Sequence, residues 1–290
     1  MSDFRFGLVC SNHDKTLSTN KTFRLASLSK QKLFETVQSN IKGLIGLSEY
    51  CANSSIPMLR LGNAFVPFAS HPDFNNSWWN ELEVMLKDAK KALPANCPRF
   101  TIHPGQFIQL GSSNPKVVDS SLRELAYCHR LLSILGDKRS VITLHVGGKK
   151  DGKETVFERF FRVFSHNVWL RDFLALENDE HNFNAKETLE LATMCQIPMI
   201  FDIFHHSINP SQISWSQIKQ SWGTKEPKVH LSSQGDGPKG AHSIFIKKED
   251  FDTLVNFLGD DALGVDIMIE AKGKEDAIKH LQELYPNFRT

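Results

Sequence analysis

Imidazole and carboxylate side chains recur where short apolar runs of this chain end. In chain order, His71 sits in ASHP, His103 in TIHPGQ, His145 in TLHVGG and Glu177 in LALEND. Asp202 and His205 share FDIFHH, His230 lies in VHL, His242 in GAH and Glu270 in MIEAKG. Neutral imidazole and carboxylate are donors that zinc, manganese and iron take. Taken singly, each histidine has a plainer reading as a surface or hydrogen-bonded residue. Taken together, at repeated positions, they point to one polymetal pocket. Glu177, Asp202 and Glu270 strengthen this, because a buried carboxylate needs a cation or strong donors. Cations held close together clamp attacking and leaving oxygens and lower the pKa of water, so the expected chemistry is hydrolysis, most often of a phosphate ester. Glu177 and Glu270 are read mainly as ligands, either of them able to bridge cations. No separate general base stands out. Lys228-Val-His230 sets an amine beside a ligand on one strand face.

The elements that must position these groups are short. Apolar runs predict strands over 4–10, 58–62, 99–103, 141–146, 173–177, 198–204, 228–232 and 265–270. Helical spacing predicts helices over 29–54, 78–93, 121–135, 155–167, 186–195, 214–221, 248–258 and 275–284. Strands alternating with helices predict an α/β fold, a single-domain TIM (β/α)8 barrel over residues 1–290. In that architecture the site forms at the C-terminal face of the strands, where His103, His145, Glu177, Asp202 and Glu270 fall. His129, His166 and His280 lie on the expected helices and read as solvated or capping residues. His13 and His181 lie in polar loops. His206 follows a ligand and reads as an orienting neighbour. Trp78 and Trp79 read as core.

Composition excludes some classes. Hydrophobic content of 40% and charged content of 23% fit a globular protein, and no run suits a membrane span. The start, MSDFRFGLVC, lacks a signal-peptide pattern. A cytoplasmic location is therefore expected, nucleoid-associated if the source is prokaryotic. Cys10, Cys51, Cys97, Cys128 and Cys195 form no CxxC pair and read as buried thiols. The net charge of +1 does not exclude nucleic acid, since a local basic face is enough. Lys149, Lys150 and Lys153 in GGKKDGKE, Lys239 in SSQGDGPKGAHS, and Lys272 and Lys274 are candidate phosphate contacts.

At RLGNAFVPFASHP, TIHPGQF, ITLHVGG, LALEND, IFDIFHH, KVHLSSQ, GAHS and IEAKGKE the chain resembles the UV damage endonuclease (UvdE) family. That family in turn resembles endonuclease IV, with a TIM barrel and three metals. The resemblance implies incision of damaged duplex DNA immediately 5′ of cyclobutane pyrimidine dimers and 6-4 photoproducts, leaving 3′-hydroxyl and 5′-phosphate ends. It implies three divalent cations, Mn2+ first, with Zn2+, Co2+ or Mg2+ as alternatives. It carries metal ligation onto His71, His103, His145, Glu177, Asp202, His205, His230, His242 and Glu270. Lys228 matches a lysine that is carboxylated in some members; the alternative is an unmodified amine on phosphate or on a ligand carboxylate. Gln106 and Phe107 match a pair that enters the duplex opposite the lesion, and Asn12 matches a polar lesion contact. The implied partner is damaged double-stranded DNA, with no membrane and no obligate protein partner. Leu8 stands where the family often has Tyr, Phe107 likewise, and Gly62-Asn63 replaces Ser-Ser. These departures bear on lesion preference more than on hydrolysis. Rival readings are an abasic-site endonuclease of endonuclease IV type, a metal-dependent sugar isomerase, and a damage-binding protein with structural metals.

Overall fold

In the computed structural model, residues 4–105 and 107–285 are described. Among them, eight parallel strands close into a barrel in chain order. They are β1 (Arg5–Val9), β2 (Met58–Leu61), β3 (Arg99–Ile102), β4 (Val141–His145), β5 (Leu174–Glu177), β6 (Met199–Asp202), β7 (Lys228–Leu231) and β8 (Asp266–Ile269). β1 pairs with both β2 and β8, which closes the ring. Nearly every strand residue is buried, as expected where side chains fill the inside and helices cover the outside.

The covering helices follow their sequence signals. α1 (Lys30–Asn53) starts behind Ser29, whose hydroxyl accepts from the Lys32 amide. Its Leu33, Val37, Leu44, Leu47 and Cys51 are fully buried, each apolar side chain stabilising by roughly 1.5–3 kcal/mol relative to exposure. α2 (Trp79–Lys91) buries Trp79 as expected. α3 (Pro115–Leu135) begins six residues before the expected start at 121. Asn114 caps it and Pro115 occupies its first turn, a start signal that outranks the later apolar periodicity. Between β6 and β7 lies a helix with no counterpart in the sequence expectations, α6 (Ile203–Ile208), where the spacing predicts only a tight turn and the tail of a strand. α4 (Lys153–His166), α5 (Ala185–Cys195), α7 (Trp215–Ser221), α8 (Lys248–Leu258) and α9 (Glu275–Leu284) match their expected spans to within two residues.

Register brings site residues side by side. His145 pairs with Glu177 across β4 and β5, and Asp202 pairs with His230 across β6 and β7. Parallel partners share a face, so each pair points into the barrel together. His103 and Glu270 lie one residue beyond the ends of β3 and β8. Of the cysteines, Cys51, Cys128 and Cys195 are buried, whereas Cys10 and Cys97 are half-buried.

Candidate metal centre

Glu177 ends β5 with its carboxylate 1% exposed and facing three imidazoles. His230 Nδ1 donates to Oε1 at 2.5 Å. His103 Nε2 lies 2.9 Å, and His145 Nε2 3.5 Å, from Oε2. Burial works to raise the Glu177 pKa, yet the rings of His230, His145 and His103 hold it well below the usual carboxylate range. Burial in turn lowers His230 to about 3, so its ring is neutral.

The tautomers follow from the partners. The Pro104 carbonyl, 3.2 Å from His103 Nδ1, can only accept, so Nδ1 carries the hydrogen and Nε2 a lone pair. That lone pair faces Glu177 Oε2, which makes no hydrogen bond of proper geometry. Two acceptors 2.9 Å apart require a proton or a cation between them. Burial lowers the His103 pKa, which disfavours the proton. His205 Nδ1 likewise meets a backbone carbonyl, that of Asn178 at 3.0 Å, and its Nε2 lies 3.5 Å from Glu180 Oε2. A backbone carbonyl holding the far ring nitrogen is the usual support of a metal-ligating histidine.

Asp202 is held more firmly than its reading as a strand-end ligand implies. It caps α6, with Oδ1 accepting from the His205 amide at 2.8 Å. The Asn178 side chain clamps its backbone, accepting from Asp202 N and donating to Asp202 O, both at 3.0 Å. Asp202 Oδ2 stays buried without a hydrogen bond. Burial and the nearby Glu177 and Glu270 raise its pKa to about 7 against the pull of His205. Asp202, Glu177 and Glu180 outweigh burial at His205 and lift its pKa to about 10.

Among the described residues three sets form, the donor atoms within each lying within 4.8 Å of one another: His103–Glu177–His230, His145–Glu177–His205 and Asp202–His230–Glu270. Glu177 and His230 each belong to two of them. The orphaned oxygens Glu177 Oε2 and Asp202 Oδ2, with the N/O character of the set, fit divalent cations of the manganese or zinc class. His242 stands at the rim, its Nδ1 4.0 Å from Glu270 Oε2. His71 joins none of the three sets. Its Nδ1 accepts from the Asp73 amide at 3.2 Å, and it lines a separate 410 Å³ cavity with Ser70, Trp79 and Arg130. It lies in a loop ten residues past β2, where nothing in the strand register aims it at the pocket.

Lys228 is fully buried inside the barrel, with Nζ donating to Thr143 Oγ1 at 2.9 Å. Burial, reinforced by Arg60, pushes its pKa well below the usual value. Sequence reading missed Arg60, which reaches into the pocket from β2, donates to Glu270 and lies 3.1 Å from His230 Nε2. It also missed Asn178. The available signals were a lone cation within MLRL and an Asn directly after a strand-end Glu.

Around the mouth, Phe107 is 85% exposed, while Gln106 falls outside the described residues. The Asn12 side chain bonds within its own loop, accepting from Leu17 N and donating to Thr16 Oγ1, both at 2.9 Å. Beside it lies an 800 Å³ cavity bordered by Cys10, His13, Lys15, Lys272 and Lys274. Lys149 and Lys153 pair with Glu187 and Glu190 on α5. His129 pairs with Asp172, and His166 bonds the Arg162 carbonyl, both as expected of helix-surface histidines. No helix among the described residues is long and apolar enough to cross a membrane.

Comparison with known proteins agrees with this geometry. The family profile described as UV-endonuclease UvdE matches residues 4–290. A UV DNA damage endonuclease of Bacillus cereus (strain G9842) is 29% identical, over 96% of this chain and 93% of its own length. The crystal structure of SacUVDE superimposes with a TM-score of 0.86 at 34% identity, over 97% of this chain and 99% of that one. Endonuclease IV from Thermus thermophilus shares the fold, with a TM-score of 0.61 at 17% identity over 97% of this chain and 98% of that one. Matched along nearly its whole length in sequence and in barrel, the chain belongs to the UV-endonuclease UvdE family.

Proposed function

We propose that this protein is a metal-dependent DNA endonuclease that nicks duplex DNA immediately 5′ of ultraviolet photoproducts and leaves 3′-hydroxyl and 5′-phosphate ends. The observation that carries the metal reading is Glu177, a fully buried carboxylate facing the lone pair of His103 across 2.9 Å. Family membership, and relatives named UV DNA damage endonuclease, support the substrate.

In this reading His103, His145, Glu177, Asp202, His205, His230 and Glu270 hold up to three cations, one for each donor set. His242 closes the rim, and His71 contributes only if its loop turns inward. Manganese is the preferred metal, and Zn2+, Co2+ or Mg2+ fit the same donors. Bound cations would supply Lewis acidity at the phosphate and at the leaving 3′-oxygen. Glu177 and Glu270 orient the cluster, and Asn178 and the Pro104 carbonyl fix their neighbours in place. Phe107, exposed on the loop after β3, stacks in the gap left when damaged bases leave the helix, with Gln106 beside it. Lys15, Lys272 and Lys274 line the cavity next to Asn12 and meet phosphate there. Lys228 is the position for carboxylation, because a neutral amine is the form that adds carbon dioxide. A mass gain of one CO2 on the intact protein tests it.

The test is strand incision of an end-labelled duplex with a single thymine cyclobutane dimer, run with manganese, with EDTA, and beside undamaged and abasic duplexes. Manganese-dependent cutting just 5′ of the dimer is expected. Cutting at the abasic site alone would move the assignment to the endonuclease IV-like reading. No cutting with any divalent metal would overturn the nuclease reading.

A further inference from the structure

Arg60 is 7% exposed and points into the pocket from β2. Its Nη2 donates to Glu270 Oε1 and lies 3.1 Å from His230 Nε2. A guanidinium only donates, so Nε2 of His230 is the acceptor, and the ring hydrogen sits on Nδ1, bonded to Glu177. The lone pair of His230 and one oxygen of Glu270 are thus engaged by a fixed positive charge. Arg60 Nε is buried with no hydrogen-bond partner, so its binding capacity is not exhausted by these contacts.

The three donor sets therefore differ. Arg60 engages two of the three members of Asp202–His230–Glu270 and one member of His103–Glu177–His230. It bonds no member of His145–Glu177–His205. We propose that Arg60 is the resident counter-cation of the Asp202–His230–Glu270 set and fixes the order of metal loading. The His145–Glu177–His205 position fills first. The Asp202–His230–Glu270 position fills last, because an entering dication must displace the guanidinium from both donors and bind close to its charge. Arg60 is a positioning residue in this scheme, acting through Glu270 and His230 rather than on DNA. The inference rests on the metal reading above.

The test counts bound Mn2+ on metal-free protein by electron paramagnetic resonance of the free ion, for wild type, Arg60→Gln, Arg60→Met and Arg60→Lys, with folding checked by circular dichroism. Neighbours of metal ligands change affinity by about 10–100-fold, so wild type is expected to take its last Mn2+ at least about tenfold more weakly than its first. Arg60→Gln, or Arg60→Met if the Gln variant does not fold, should tighten that last step by at least about tenfold, while Arg60→Lys keeps the step. Uniform affinity in wild type, or an unchanged or weakened last step in the neutral variants, overturns the inference and leaves the metal reading intact. No Mn2+ bound to folded wild type sinks both.

Discussion

At the N-terminal end of the barrel, Asp266 accepts from Arg5 at 2.6 Å and from Arg99 at 2.8 Å. Arg99, itself buried, also donates to the carbonyls of Arg139 and Glu226 and lies over the Trp222 ring. At the C-terminal end, Glu177 Oε2, Asp202 Oδ2 and His145 Nδ1 are buried without hydrogen bonds. Both ends bury charge, but the floor sets one carboxylate against two guanidiniums and leaves a donor, Arg99 Nη2, unpaired, whereas the mouth, where Arg60 engages Glu270 and His230, leaves the carboxylate oxygens Glu177 Oε2 and Asp202 Oδ2 unpaired. A matched buried network fixes structure, whereas an under-matched one costs stability unless a ligand completes it. The difference teaches which end is built for binding, without reference to any relative.

Breaking the floor should give the largest effect on folding. Asp266→Ala strands Arg99 in the barrel, and loss of one partner of a buried pair costs about 3–5 kcal/mol. A denaturant titration should show that loss, while the remaining folded protein keeps its metal affinity.

Breaking the mouth should reverse the pattern. Glu177→Gln removes the one carboxylate shared by two donor sets, and incision should fall by more than the ~10–100-fold expected for an outer neighbour of a metal. The metal-free Tm should hold or rise, since a buried charge is gone. A Tm drop as large as that of Asp266→Ala would place Glu177 among the structural charges instead.

A finer cut separates ligand from support. Asn178→Ala frees the backbone of Asp202 while sparing every donor atom, so metal affinity or incision should fall about 10–100-fold. Isothermal titration with Mn2+ reads this directly, and an unchanged isotherm would mean that α6 alone positions Asp202.

The smallest effect is expected furthest from the metals. Phe107→Ala should weaken binding to a dimer-bearing duplex by ~1–3 kcal/mol, the worth of one aromatic–base stack. Its Tm and metal affinity should not change. Fluorescence anisotropy against damaged and undamaged duplexes checks it, and equal losses on both would remove the lesion-specific role.

The barrel is legible in the sequence because each βα unit carries its own signals. Ser29 and Gly136 mark helix ends, and the apolar runs mark strands. The expected start of α3 is late because apolar spacing runs on past the Asn114-Pro115 cap. α6 escapes notice because six residues cannot display a helical period, and its cap, Asp202, reads equally well as a strand-end ligand. Most of the cluster is legible for a different reason. A carboxylate or imidazole closing an apolar strand has nowhere to point but the barrel mouth. That logic does not reach His71, which lies ten residues past the end of β2. Arg60 shows the converse. Nothing within MLRL marks it for the site, and the closed register turns it inward.

The most direct test of the contrast between the two ends is a crystal structure of the protein soaked in MnCl2, with an anomalous difference map. The account predicts manganese peaks among His103, His145, Glu177, Asp202, His205, His230 and Glu270, and none near Asp266 and Arg99. A mouth without peaks in a manganese-saturated crystal, or a peak at the floor, would contradict it.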